Sequence, residues 1–185
     1  NAGVEPEIII FDKNLSDDAR LQEVLEKTLS GTMVISVTRE VISYLTHTEN
    51  SQGLLAVAPY RIVLSPDFSR LENDLLLIAD RIQDPGNLGT IMRTALAAGI
   101  NNIILTKGTI DPTNPKVLRA SMGAFYHLHL SLADDLPALV ADFKQRGFQL
   151  VVAAPGADEH YTEPDYRKPS VIVIGNENSG IDPFF

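Results

Sequence analysis

One stretch in the middle of the chain constrains the fold more than any other. The apolar run at 75–79 has the length and composition of a buried strand. In the segment DRIQDPGNLG that follows, Pro85 has a fixed φ, and two glycines permit a tight turn or a close backbone approach. Apolar residues then recur at helical spacing over 88–98, and an apolar run at 102–106 predicts the next strand. The sequence therefore predicts a strand–loop–helix–strand unit, in which open α/β folds bind ligands at the carboxyl end of the strand.

Three polar residues mark this unit as a candidate site. Asp84 and Asn87 lie in the loop, and Arg93 lies in the helix that follows it. Each residue alone has an ordinary explanation, because Asp and Asn are preferred helix N-caps and a surface arginine is commonly solvated. A proline, two glycines, an asparagine and an arginine within two turns exceed what a cap requires. The combination therefore favours a binding or catalytic role.

A second polar turn, GNENSG at 175–180, directly follows an apolar strand predicted at 170–174. Its two flanking glycines suit a backbone that comes close to a ligand. The alternative is an ordinary strand–helix turn that is capped by Asn178 or Ser179. The residues alone leave both interpretations open.

Composition limits the classes of function. The 185 residues contain no cysteine, which excludes disulfides, thiolate catalysis and cysteine metal sites and is typical of a reducing cytoplasm. We find no signal peptide and no run of eighteen apolar residues, so we expect a cytoplasmic protein with no membrane partner. The net charge of −9 argues against nucleic acid as a ligand, although an enzyme needs only a local basic surface. Such a surface is available from residues of the middle third: Arg61, Arg70, Arg81, Arg93, Lys107, Lys116 and Arg119.

The order of apolar runs and breaks predicts two α/β domains. The first, 1–62, alternates short strands and amphipathic helices, and a linker at 63–72 precedes the second domain, 73–185. Several strands of the second domain are continuous apolar runs, which predict a mostly parallel sheet with helices on both faces. The predicted strands are 7–11, 33–37, 53–58, 75–79, 102–106, 127–130, 148–153 and 170–174, and the predicted helices are 16–29, 39–45, 88–98, 116–121 and 135–146.

The segment DPGNLGTIMRTALAAGI resembles the first motif of the SpoU/TrmH-type RNA ribose 2′-O-methyltransferases of the SPOUT class. The stretches VLRASMGAFYHLHL and VIVIGNENSGI fall where that family places its connecting segment and its second motif. The resemblance is good over 72–185 and weak over 1–60, where SQGLLAV is similar to the end of the family's small ribosomal-protein-like domain. It implies a SPOUT-like fold preceded by a small RNA-binding α/β domain. The family's third motif, with its Ser-Leu-Asn core, would follow residue 185, so we expect an incomplete C-terminal knot and a chain truncated at both ends.

The resemblance also implies roles for individual residues. Gly175 matches a glycine that contacts the cofactor S-adenosylmethionine, and Glu177 matches the glutamate of the second motif. Arg93 and Asn87 match the arginine and asparagine of the first motif, and we expect Arg93 to stabilise a developing alkoxide or to hold a phosphate. The catalytic prediction is Arg93, Glu177 and Asn87; the cofactor prediction is Gly175, Asn176, Glu177, Gly180 and Ala153; the RNA prediction is Arg93, Arg119 and Ser121.

The expected partners are RNA and a second copy of the chain. Ribosomal RNA is favoured over transfer RNA because of the small first domain. The resemblance implies a homodimer, with an interface in the first-motif helix and at 122–126, where Phe125 and Tyr126 would otherwise be exposed. Packing of these two aromatic residues in their own core is the alternative. No metal is expected, because His127 and His129 alternate on a predicted strand without a third ligand.

Two other classes of function stay open at this point. A non-catalytic RNA-binding or assembly protein could keep the fold without the third motif. A nucleotide-binding oxidoreductase is disfavoured, because the first loop is DPGNLG and not G-x-G-x-x-G.

Overall fold

The computed structural model describes residues 4–28, 31–46, 51–60, 62–64 and 75–185. The chain divides into two compact units, 1–61 and 62–185, which we describe separately. Within the described residues, no helix has the length and apolar character needed to cross a membrane.

The first unit is a three-stranded sheet with two helices. Its strands lie in the order β2-β1-β3, with β1 parallel to β2 and antiparallel to β3. Ile9 of the sheet and Leu21 and Ile42 of the two helices are buried. The first helix begins after Asp18, because this carboxylate caps the backbone amides of residues 20 and 21. The elements are β1 (Ile8–Asp12), α1 (Ala19–Glu26), β2 (Met33–Val37), α2 (Arg39–Thr46) and β3 (Leu54–Val57).

The second unit is a six-stranded, fully parallel sheet in the order β4-β7-β6-β5-β9-β8. Its elements are β4 (Val63–Leu64), β5 (Leu75–Asp80), α3 (Pro85–Ala97), β6 (Asn102–Thr106), α4 (Pro115–Ala120), β7 (His129–Ala133), α5 (Leu136–Gln145), β8 (Gln149–Ala153) and β9 (Ser170–Gly175). Helix α3 connects β5 to β6, and α5 connects β7 to β8; the two connections run in opposite directions along the sheet. Because parallel crossovers are right-handed, the two helices lie on opposite faces of the sheet. The predicted α/β fold is confirmed.

Alternation along the central strands divides the core between these two faces. Leu76 and Ile78 of β5 pack with Phe143 of α5 on one face. Leu88 and Met92 of α3 are fully buried and lie outside that cluster. Nearly all of β5 is buried, which explains why its sequence is an uninterrupted apolar run.

The structure differs from the predicted elements at four places. Helix α1, predicted over 16–29, begins at Ala19, because Asp18 is its N-cap, and ends at Glu26. Helix α3 begins at Pro85 and not at residue 88, because Asp84 is its N-cap and proline is favoured in the first turn. Strand β7 begins at His129, because residues 124–127 form a 3-10 helix. Two residues of the predicted linker, Val63–Leu64, form a strand that pairs with β7, and 65–72 lie outside the described residues.

Candidate functional site

Two loops meet at the carboxyl ends of β5 and β9, which are neighbours in the sheet. Asp80 and Gly175 are paired at the ends of these strands. The segment 81–84 leads from β5 into α3, and 176–181 continues from β9. Because both strands end at the same edge, the two polar motifs predicted from the sequence lie side by side.

Asn87 and Glu177 join the two motifs directly. The side-chain amide of Asn87 donates a hydrogen bond to Oε1 of Glu177, across 90 residues of sequence. The backbone amide of Asn87 donates to Oδ1 of Asp84 at 2.8 Å, so Asp84 is the N-cap of the helix. The side chain of Asn87 takes no part in this cap and bonds to Glu177. Two of the three predicted catalytic residues are thus in contact.

Arg93 lies further along the same helix and is not joined to this pair. Six residues of α-helix separate it from Asn87, which corresponds to about 9 Å of rise and about 120° of rotation. The side chain is exposed, and within the described part of the chain no hydrogen bond or ion pair engages it. Its guanidinium is therefore available to a ligand outside the protein.

Asn176 shapes the second loop from inside. Its side-chain oxygen accepts hydrogen bonds from the backbone amides of Asn178 and Ser179 at 2.9 and 3.0 Å. Its backbone exchanges two hydrogen bonds with Gly180, and its side-chain amide donates to the carbonyl of Arg81 at 3.0 Å. These bonds occupy the side chain, so a role in cofactor binding would have to come through the shape of the loop.

The backbone conformation and close packing of this loop require glycine at positions 175 and 180, whether or not a ligand binds. A Cβ atom at Gly175 would lie 2.4 Å from Cγ1 of Ile181 and 2.7 Å from the carbonyl oxygen of Gly180. Gly180 has a φ of +68°, in the left-handed region. A Gly175→Val substitution would be the direct test of the cofactor contact that is predicted for Gly175. Because this substitution collides with the protein's own backbone, a loss of binding in that variant would report on loop structure as well.

A cavity of about 800 Å³ lies along β8 and the segment that follows it. Ala153, predicted to contact the cofactor, lines this cavity, whereas Gly175 and Gly180 are not among its lining residues. Polar residues that line the cavity are Asp158, Glu159, His160, Tyr161, Glu163 and Tyr166. In the same segment, hydrogen bonds from the side chain and backbone of Arg167 lower the pKa of the half-buried Asp165.

The residues predicted to contact RNA differ in how accessible they are. Arg119, on α4, is exposed and has no hydrogen bond or ion pair with the rest of the described chain. Ser121 is completely buried, and its hydroxyl donates to the carbonyl of Leu118 at 2.8 Å. The prediction for Ser121 is therefore corrected: its hydroxyl caps the end of α4 and is not presented to a ligand.

Phe125 and Tyr126, the aromatic pair predicted for a dimer interface, also differ in how accessible they are. Phe125 is 2% exposed, whereas Tyr126 is half-buried and meets the Phe125 ring edge-on, with 5.1 Å between centroids. For Phe125 the alternative of core packing is thus the correct one. Met122, in the same segment, is 77% exposed.

No metal site is formed by the parts of the chain that are described. Across these ranges, no three His, Asp or Glu side chains lie close enough to hold an ion. His127 and His129 are both exposed to solvent.

The polar residues beneath the two loops were not predicted as a site. Asp80 is buried at the end of β5, where its carboxylate accepts hydrogen bonds from the Thr106 hydroxyl, the Arg81 side chain and the backbone amide of Asp182. The available signal was an aspartate directly after five apolar residues in a buried strand, because a carboxylate in that position must find partners.

Comparison with known proteins places these motifs in one family. Residues 74–184 match the model of the SpoU rRNA Methylase family. An uncharacterized tRNA/rRNA methyltransferase of Synechocystis is 37% identical over 169 residues, which are 90% of this chain and 57% of that protein. The 23S rRNA (guanosine(2553)-2′-O)-methyltransferase RlmP of Bacillus subtilis is 31% identical, over 97% of this chain and 67% of its own.

A solved structure agrees with the sequence comparisons. The AdoMet-bound rRNA methyltransferase of Sinorhizobium meliloti superimposes with a TM-score of 0.76 at 31% identity, and covers 98% of this chain and 67% of that one. The chain spans a little over half the length of the Synechocystis relative.

Proposed function

Because the chain belongs to the SpoU rRNA Methylase family, we propose that it is an enzyme that methylates RNA, with S-adenosylmethionine as methyl donor and a ribose 2′-hydroxyl as acceptor. The observation that carries the proposal is the hydrogen bond between Asn87 and Glu177. It joins the two motifs at the carboxyl ends of adjacent parallel strands, where α/β proteins bind their ligands.

The cavity lined by Ala153 has a volume suited to a small-molecule cofactor such as S-adenosylmethionine. Pockets that hold small molecules commonly measure about 300–1,000 Å³, and this cavity of about 800 Å³ lies within that range. Ala153 would line one end of the cofactor site, and the 175–180 loop, with Gly175, Asn176, Glu177 and Gly180, would border it. When bound, S-adenosylmethionine supplies a methyl group that is already activated by its sulfonium.

The residues of the chain then have to position the ribose and stabilise its oxygen. Glu177 has its Oε1 held by Asn87, and no described residue donates to its other oxygen, which is therefore available to accept a hydrogen bond from a ligand hydroxyl. Arg93 is a poor base because it stays protonated at physiological pH. We assign it to the developing negative charge on the ribose oxygen or to a neighbouring phosphate.

RNA is the proposed substrate, and ribosomal RNA is favoured over transfer RNA. The Bacillus subtilis relative is named for 23S rRNA. The stretch SQGLLAV in the first unit resembles the end of a small ribosomal-protein-like domain. Arg93 and Arg119 are exposed cations without partners in the described chain, as phosphate contacts require. A homodimer in the cytoplasm completes the proposal.

The test is methyl transfer to defined RNAs by the full-length protein. The protein is incubated with labelled S-adenosylmethionine and, in separate reactions, with unmodified ribosomal RNA and transfer RNA transcripts. Digestion to nucleosides and mass spectrometry should then find a 2′-O-methyl nucleoside in the ribosomal RNA. RNA binding without incorporation of methyl would instead support the non-catalytic assembly protein.

A further inference from the structure

Asp80 is a carboxylate that the folded protein has taken almost entirely out of water. It is the last residue of β5 and is 1% exposed. Oδ1 accepts a hydrogen bond from the Thr106 hydroxyl at 2.6 Å, and Oδ2 accepts from the Asp182 backbone amide at 2.9 Å and from Nε of Arg81 at 3.2 Å. A buried carboxylate is tolerated only when it is paired and hydrogen-bonded in this way.

Arg81, the next residue, contacts the second loop through its side chain and its backbone. Its φ of 54° lies in the left-handed region, which costs a residue with a side chain conformational energy unless its surroundings hold it. In this conformation its amide donates to the Thr106 hydroxyl at 3.0 Å and its carbonyl accepts from the Asn176 side chain at 3.0 Å. Its guanidinium donates to the carbonyl of Gly180 at 3.3 Å.

The segment after β9 is therefore attached to residues 80–81 at three points. Asn176 and Gly180 are held by Arg81, and the amide of Asp182 is held by Asp80. Glu177 lies between these attachments, while its partner Asn87 is fixed on the other motif by the helix cap. The relative position of Glu177 and Asn87 thus depends on the carboxylate beneath them, although Asp80 touches neither.

We propose that Asp80 is a positioning residue, whose buried carboxylate, together with Arg81, holds the 176–182 segment so that Glu177 faces Asn87. The effect of Asp80 on catalysis rests on the proposed methyl transfer. The effect of Asp80 on the contact between Asn87 and Glu177 is independent of that proposed function. Asp80 itself takes no part in the reaction.

The kinetic test is a double-mutant cycle in the full-length protein, at saturating S-adenosylmethionine. Asp80→Asn keeps the size of the side chain but replaces one acceptor oxygen with a donor. We expect the single-turnover rate to fall at least tenfold with the KM for RNA within about twofold, because a small misplacement of a reacting group is costly. In a Glu177→Gln background the same substitution should change the residual rate by less than twofold, because it acts through Glu177. Independent, multiplicative losses would overturn the proposal.

The matched control is Asp142→Asn. Asp142 also pairs with an arginine, Arg146, but this pair lies on the outer surface of α5. It receives the same chemical change, and we expect the wild-type rate. An equal loss of rate in this variant would mean that the effect at Asp80 is not specific.

A spectroscopic readout separates positioning from a loss of stability. The side-chain amide resonances of Asn87 report its hydrogen bond, and Glu177→Ala provides their position when the bond is absent. Asp80→Asn should move these resonances towards the Glu177→Ala position in a protein that is still folded. Unchanged resonances would refute the inference.

A second variant protects the test against misfolding. If Asp80→Asn does not fold, Arg81→Gly replaces it, because glycine accepts a φ of 54° and the substitution removes only the guanidinium contacts. The same shift of the Asn87 resonances is expected. If the wild-type protein methylates no RNA, the proposed function fails, and the resonances still decide whether Asp80 positions Glu177.

Discussion

Gly89 offers a prediction whose magnitude follows from the packing of α3 on α4. A Cβ atom at this position would lie 2.4 Å from Cβ of Ala120 and less than 3.0 Å from two backbone atoms, the Ala120 carbonyl carbon and the Ser121 nitrogen. Real Cβ atoms do not approach so closely, and backbone atoms have no rotamer by which to move away. The glycine is therefore required by the contact between the two helices.

We expect Gly89→Ala to destabilise the protein by about 2 kcal/mol. Overpacking a well-packed site costs about 1–3 kcal/mol, and the rigid neighbours place this substitution near the upper end. Alanine recovers about 1 kcal/mol through its higher helix propensity. For a unit of this size the net loss corresponds to a decrease in Tm of roughly 6–8 °C. Urea unfolding followed by circular dichroism measures the difference directly.

Gly86→Ala is the control on the same helix. An added Cβ at Gly86 meets only Oδ1 of Asp84, at 3.0 Å, and this carboxylate can adjust. Its free energy of unfolding should stay within about 1 kcal/mol of the wild type, in the range of an ordinary surface substitution. If Gly89→Ala is as stable as Gly86→Ala, the close approach of the helices is not what requires a glycine.

Three further predictions concern the site. Arg93→Ala should keep the wild-type affinity for S-adenosylmethionine and lose most methyl transfer, and Arg93→Lys should restore little, because a lysine lacks the planar guanidinium; full activity in either variant would refute the role. Ala153→Phe, at the exposed end of β8, should weaken cofactor binding at least tenfold by calorimetry with little change in Tm, and unchanged affinity would move the cofactor out of this cavity. The full-length protein should be a dimer by light scattering at micromolar concentration, and a monomer that still methylates RNA would exclude the dimer.

The elements and the two motif loops could be predicted because their signals are local in sequence. Buried parallel strands are continuous apolar runs, and glycine and proline mark the turns between them. The start of α3 was missed by three residues, although Asp84 followed by Pro85 is a strong helix start. The error came from assigning Pro85 and Gly86 to a loop on the ground that both residues break regular structure elsewhere.

The polar network under the loops could not be predicted in this way. Asp80 and Asp182 are 102 residues apart, and Arg81 and Asn176 are 95 apart, so their contacts depend on β5 and β9 being neighbours. Sequence reasoning assigned Asn176 to the cofactor because it lies between two glycines. In the folded protein the same position lets its side chain close the loop. Residues that shape such a loop and residues that contact a ligand are of the same types in the sequence, and the hydrogen bonds show that the Asn176 side chain shapes the loop.

The net charge of −9 argues against an RNA ligand, but the charges are distributed unevenly along the chain. Residues 85–133 contain four basic residues and one acidic residue, a net charge of +3, whereas 134–169 contain four basic and seven acidic residues, a net charge of −3. The basic segment includes α3 and α4, which pack together through Gly89 and Ala120 and carry the exposed Arg93 and Arg119. Phosphate binding depends on such locally placed cations, because each contact releases counterions from the nucleic acid independently of the protein's total charge. The charge of the α3–α4 pair, and not that of the whole chain, is therefore the quantity that bears on an RNA substrate.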